Sequence, residues 1–426
     1  MNGDFEIAGV YGRKILDSRG NPALEVEVRL EGGAVGRASA PSGVPAGGCG
    51  AAGQPDGFYS REKGVKKAVE YVNTVIAETL LFEDAFQQSV IDRLLQEAAG
   101  GESQAGLGAN AALGASLAVA RACAAQQGIP LYRYLGGANA RTMPVPMMNM
   151  LSGGVYEDNT VDFQEFMILP VGAKTFSDRV KICSEVYHTL KRLLKTSGFA
   201  TSVGDEGGFA PDLKHAAEAL KYMEEAVRLS GREPGRDVRF AINAAAGRLF
   251  DPGTGQYLFP GESLMTGTPV SRTTEEMVEY FRRLAEDFPI CSIEDGLHEE
   301  DWEGWRLLTR ELGDRIQLTG GGLFKSDTGR MERGVREGCA NAVLVKTDQA
   351  QTLTKSLEVI EKAKNAGYQI VISHRGGETE DAFIADLAVA VNSGWIKAGA
   401  PCRSERVAKY NQLMRIEEEL SEKGGV

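Results

Sequence analysis

Lys346, His374, Arg375 and Lys397 each close a short apolar run, and Glu294 closes another, so fixed cations and a carboxylate recur at equivalent positions of a repeating pattern. Such a set is equipped to hold a small anion. Ser373-His374-Arg375-Gly376-Gly377-Glu378 follows QIVI directly, and a His-Arg pair trailed by glycines, whose backbone N–H groups can face an anion, suits a phosphate or carboxylate. Gly204-Asp205-Glu206-Gly207-Gly208 sets two acids between glycines, which reads either as a solvated turn or as a loop presenting a carboxylate. Glu165 and Glu206 are assigned a role because glutamate is rarely buried without a partner or a task. Lys346 could be a solvated lysine, but a lysine closing the apolar VLV run points to the mouth of a barrel.

The elements that must carry these residues are strands. The runs are FAIN ending at Asn243, CSIE at Glu294, IQLTGG at Gly321, AVLVK at Lys346, QIVISHR at His374 and Arg375, and WIK at Lys397. From Glu294 onward they step by roughly 23 to 28 residues, the length of one strand, one helix and two short loops. A series of βα units closing into a barrel aims every strand end at one mouth. Asn243 and Gly321 leave two blanks there, where acids would complete the set. MPVPMMNML at 143–151 opens the barrel and FQEFMILPV at 163–171 is its second run. The tail from Ser404 to Leu420 reads as a charged helix packing back on it.

The first part of the chain is different in kind. Residues 24–40 alternate about Glu31-Gly32-Gly33, a hairpin signal, and helical stretches follow near 60–80, 84–98 and 106–127. The fold class is therefore α/β, with an N-terminal α+β capping domain over residues 1–136 and an eight-stranded β/α barrel over 140–426. A length of 426 residues suits two domains, and a net charge of −12 disfavours nucleic acid or an acidic membrane as partner. No apolar stretch has the length of a membrane span and MNGDFEIAG lacks signal-peptide character, so a soluble, cytoplasmic protein is expected. The cysteines are scattered without a C-x-x-C pair, which suggests neither a zinc site nor a disulfide framework. Gly48-Cys49-Gly50-Ala51-Ala52-Gly53 fits G-x-G-x-x-G, but Pro55-Asp56-Gly57 blocks the helix that a dinucleotide would need, so it reads as a glycine-rich loop.

The chain resembles the enolases (phosphopyruvate hydratases) from end to end. The matching stretches are Asp17 to Pro22, Gln164-Glu165-Phe166-Met167, Val203 to Gly208, Ser292-Ile293-Glu294-Asp295, His374-Arg375, Glu378 to Asp381, and the tail from Ile396 to Leu420. The resemblance implies a barrel whose second strand is antiparallel, a homodimer or higher homo-oligomer, and magnesium-dependent conversion of 2-phosphoglycerate into phosphoenolpyruvate. By the same resemblance Lys346 is the base at C2, Glu206 the acid toward the leaving hydroxyl, and Glu165 the acid beside it. His374, Arg375, Lys397 and Gln164 become substrate-binding residues, and Glu294 a magnesium ligand. The enolase superfamily pairs such a base with cations that stabilise the enolate.

The departures from the family pattern lie in the site. Asn243 and Gly321 fall on the other two magnesium carboxylates. Pro45, in Val44-Pro45-Ala46-Gly47, stands where a lid serine would bind a second ion, Tyr156 replaces a histidine, Gly376 a serine and Asp348 an asparagine. Glu165, Glu206 and Glu294 then face Lys346, Lys397 and Arg375, a balance needing no resting metal. Magnesium is expected to be weakly bound or absent in the resting site, with Asp295 or Asp348 as replacement ligands. Three readings stay open: a divergent enzyme using the same proton-transfer groups on a small phosphorylated or carboxylated anion, a silent paralogue that binds such an anion or serves in assembly, and residual ordinary enolase.

Overall fold

A computed structural model describes residues 3–41, 57–99 and 107–424. The Val44–Gly47 loop, the Gly48–Gly53 glycine run and the side chain of Tyr156 lie outside the described residues. The chain divides into two compact units: Met1–Arg141 with Lys346–Glu358 and Arg375–Asn392, and Thr142–Val345 with Val359–His374 and Ser393–Val426.

In the first unit β1 (Ile7–Leu16), β2 (Pro22–Leu30) and β3 (Val35–Ala40) form an antiparallel meander. The β2–β3 hairpin is the one read from the alternation; β1, an edge strand with little alternation, was not. Its link to β2 is closed by the Asp17 carboxylate, which accepts from the N–H groups of Arg19 (2.9 Å) and Asn21 (2.8 Å). The alanine-rich helix Leu107–Gln126 lies so close on this sheet that a Cβ at Gly36 would come within 2.0 Å of the Ala118 carbonyl oxygen. Small residues on both surfaces permit that spacing. Two later stretches complete the unit. Asp381 receives both guanidinium nitrogens of Arg121 (2.6 and 2.7 Å) and the Ser39 N–H (2.9 Å), and the Ser116 hydroxyl accepts from the Leu353 N–H at 3.0 Å.

The second unit is a closed eight-stranded barrel. β4 (Val145–Ser152), β5 (Glu165–Leu169) and β6 (Arg239–Asn243) come first. A small antiparallel sheet of β7 (Phe250–Asp251), β8 (Gln256–Leu258) and β9 (Ser271–Arg272) intervenes, its strands too short to show a period. β10 (Ile290–Glu294), β11 (Gln317–Gly320), β12 (Ala342–Val345), β13 (Gln369–Ser373) and β14 (Gly394–Gly399) follow. Met147, Met167, Leu169, Ala241, Leu344 and Val371 fill its interior. β5 runs antiparallel to both β4 and β6, whereas the remaining barrel pairs are parallel. This reversal brings the first residue of β5, Glu165, level with the last residue of β6, Asn243, which is itself paired with Glu294. The terminal helix Ser404–Gly424 packs on this unit, with the Glu417 carboxylate accepting from the Ser177 N–H (2.9 Å) at the start of the helix Phe176–Thr196. No described helix is long and apolar enough to cross a membrane.

Candidate active site

Lys397 lies within β14 rather than at its end, two residues before Gly399. Its ammonium stands 2.8 Å from Glu165 Oε2 and 2.9 and 2.7 Å from the two oxygens of Glu294. All three side chains are almost wholly buried. Burial pulls the Lys397 pKa down, but attraction and hydrogen bonds from Glu165 and Glu294 outweigh it, and the amine is held well above the ordinary lysine value. The strand registers Glu165↔Asn243, Glu294↔Asn243 and Ser373↔Lys397 fix this arrangement in a rigid layer.

The two blanks have definite occupants. Asn243 donates its amide to Glu165 Oε2 at 2.6 Å and accepts from the Ala245 N–H at 3.0 Å. Beside Gly321, the Asp295 carboxylate takes the N–H groups of Gly321 (2.8 Å) and Gly322 (2.9 Å), its own backbone at a φ of +46°. A Cβ on Gly321 would lie 2.8 Å from that carboxylate. Asp295 therefore fills the volume that an acid at position 321 would need.

The Gly204–Gly208 loop is a clamped structure, not a solvated turn. Gly207 adopts a φ of +82°, and its carbonyl accepts the Tyr187 hydroxyl at 2.8 Å. The Ala400 N–H donates to the Glu206 carbonyl at 2.8 Å. The loop so held directs the Glu206 carboxylate to His374 Nε2, 3.1 Å away. Arg406, fully buried, joins them: its Nη1 lies against His374 Nδ1 and 3.3 Å from Glu206 Oε2, and its Nη2 donates to the Asp205 carbonyl at 3.1 Å. A guanidinium can only donate, so Nδ1 is the acceptor and the imidazole hydrogen sits on Nε2, facing Glu206. Gly399, at a φ of +90°, clears the path of the Arg406 stem, since a Cβ there would approach Arg406 Cδ to 2.7 Å.

Arg406 was not among the residues picked from sequence. A faint signal existed: Arg406, Tyr410, Leu413 and Ile416 recur at helical spacing and form the buried stripe of the last helix.

Lys346 and Arg375 follow β12 and β13 into segments of the first unit. Lys346 is half-buried and precedes the short helix Thr347–Ala350. Arg375 Nε pairs with Asp348 at 2.8 Å, and the Arg375 N–H is received by Glu378 at 2.8 Å. Gln164, half-buried, donates its backbone N–H to the Asn243 carbonyl at 3.0 Å.

Within the barrel, Glu165, Glu206 and His374 are all buried, with ligand atoms lying within 4.8 Å of one another, a group that could hold a metal ion. The C-terminal TIM barrel domain of enolase matches residues 140–425, and the enolase N-terminal domain matches residues 7–135. The chain belongs to the enolase family. The closed barrel with its antiparallel β5 is thus an enolase barrel, and the family typically binds magnesium.

Proposed function

We propose that this enolase-family protein is a divergent enzyme of phosphopyruvate hydratase type, acting on a small phosphorylated or carboxylated anion. Its ordinary dehydration of 2-phosphoglycerate is weak or lost. The observation that carries the reading is the ammonium of Lys397 seated between Glu165 and Glu294. Magnesium needs near-octahedral oxygen ligation, and of the family's three carboxylate positions only Glu294 keeps an acid, both of whose oxygens are engaged by the Lys397 ammonium. Position 321 offers no donor, Asn243 is engaged on both sides, and Asp295 is spent on backbone N–H groups. Asp348, the other substitute ligand, is paired with Arg375. The family's three magnesium positions thus offer a poor fit to that ion, while Glu165, Glu206 and His374 remain a separate group that could hold a metal.

Lys346, in the family's base position, takes the proton next to a carboxylate, and Glu206, steadied by His374 and Arg406, serves the leaving-group side. Arg375, Lys397 and Gln164 occupy the family's substrate-binding positions, the first two supplying positive charge for the anion. Loss of Lewis-acid stabilisation is worth several kcal/mol, and about 1.4 kcal/mol is a factor of ten, so ordinary turnover should fall by orders of magnitude. Incubation in heavy water with 2-phosphoglycerate and related phosphorylated or carboxylated acids, followed by NMR, tests the reading. Exchange of an α-proton that disappears in Lys346→Ala supports it. Absence of exchange with every acid would favour the silent paralogue, and rapid formation of phosphoenolpyruvate would restore ordinary enolase. A cytoplasmic homodimer or higher homo-oligomer is part of the same proposal, checked by light scattering of the purified protein.

A further inference from the structure

We infer that Asp348 sets the substrate class of this site: the group held beside Arg375 is a neutral hydroxyl, so the acid taken is a hydroxy acid and not its phosphate ester. The inference rests on the reading that Arg375 binds the substrate, and it adds what that arginine receives.

The glycines after Arg375 suit an anion when read as a string, but the acids around them in the first unit do not. Arg375 Nε already lies 2.8 Å from Asp348 Oδ2, and the Arg375 N–H is received by Glu378 at 2.8 Å. A Cβ on Gly377 would come within 2.9 Å of the Asp17 carboxylate, and one on Gly376 within 2.7 Å of Arg19 Nη2. Three carboxylates, Asp17, Asp348 and Glu378, thus stand against the two guanidinium groups of Arg19 and Arg375. Lys346, two residues before Asp348, brings the charges only to balance. A phosphate dianion is drawn to a surplus of positive charge, and here it would meet like charges at close range.

Asp348 favours a different group. Its side chain is only 7% exposed, its Oδ2 faces Arg375, and among the described residues no donor reaches its Oδ1. A buried carboxylate oxygen lacking a donor is costly, so a ligand that supplies the hydrogen gains affinity there. A phosphate dianion has no hydrogen to give. An ammonium has, but it would face two guanidinium groups. A hydroxyl donates one hydrogen and brings no charge. Position 376 agrees: a serine there would offer phosphate a donor, and Arg19 lies in the space that its side chain would need.

The full-length wild type, Asp348→Asn and Asp348→Ser would be titrated with glycerate and with 2-phosphoglycerate by calorimetry, magnesium chloride being present throughout. These acids differ by a hydroxyl against a phosphate on the same carbon. The wild type should bind glycerate at least as tightly as the ester. In both variants the ratio of affinities should swing by about tenfold or more toward 2-phosphoglycerate, because a like charge has been removed. Two variants of different size, each checked by its melting temperature, keep the result independent of how well one of them folds. A wild type that prefers the phosphate ester, or a ratio that neither substitution moves, overturns the inference while leaving anion binding intact. Failure of both acids to bind any of the three proteins overturns the inference together with the reading of Arg375.

Discussion

The Nη1 of Arg406 contacts Nδ1 of His374 and lies 3.3 Å from Glu206 Oε2, so one buried guanidinium orients both partners of a histidine–carboxylate pair. Its second nitrogen is tied to the Asp205 carbonyl, in the same loop as Glu206. The loop, the end of β13 and the last helix meet at this residue.

Arg406→Met should lower stability by about 3–5 kcal/mol, because Glu206 would keep a buried charge without its guanidinium partner. Arg406→Lys should recover only part of that, since a point charge cannot span His374 and the Asp205 carbonyl together. Urea midpoints measure the loss. Nitrogen-15 shifts of His374 should report hydrogen on Nε2 in the wild type and a mixture of tautomers in Arg406→Met; an unchanged imidazole would show that Arg406 does not set its tautomer.

Gly321→Asp, the obvious restoration of a family acid, should cost about 2 kcal/mol because the new side chain meets the Asp295 carboxylate. Combined with Asp295→Gly, which also suits the left-handed backbone at 295, the cost should shrink. A double-mutant cycle with no coupling between the two positions would contradict the crowding seen here. Adding Asn243→Asp therefore recovers a family-type ion cage only once Asp295 has been replaced.

Glu27 accepts from Arg13 (2.8 Å), Arg37 (2.9 Å) and Arg29 (2.9 Å). The hydrogen bonds from Arg13 and then Arg37, opposed by burial, pull its pKa from an ordinary 4.5 to about 2. A folded-state pKa below the unfolded one means stability present above pH 4.5 and lost as the pH falls toward 2. The arginines are partly exposed and screened, so the contribution is about 1–2 kcal/mol. Urea melts across this window should show the gap between wild type and Glu27→Gln closing on acidification.

Gly36→Ala should cost about 3 kcal/mol, because the added methyl collides with the backbone of the alanine-rich helix rather than with a side chain that can turn aside. Calorimetric unfolding would register the loss, and a neutral outcome would mean that sheet and helix can separate freely.

Much of the barrel was legible because buried parallel strands are continuous apolar runs with abrupt polar ends. Asn243 and Glu294 terminate β6 and β10 as read, while β11 and β12 stop one residue short of Gly321 and Lys346. The position of Lys397 could be read but not its partners, because the reach of a lysine stem across three strands is a matter of register, not of spacing. Asp295 was considered as a spare ligand. Its commitment to Gly321 and Gly322 depends on a left-handed turn that no local pattern announces. Arg406 was hidden by the charge of its helix, which as a string reads as solvated. His215 and His298 are half-buried, and His215 caps the helix Ala216–Leu229 by accepting from the Glu218 N–H at 3.2 Å, a role that a histidine in a loop string does not announce.

Because the first unit is finished by Lys346–Glu358 and Arg375–Asn392, the leading 141 residues are no transplantable module. Severed there, Arg121 would forfeit Asp381 and the Ser116 hydroxyl would forfeit Leu353. A gene fusion swapping only the leading part would inherit half of a lock, so the segment bearing Lys346 and the segment bearing Arg375 must be passed on with it.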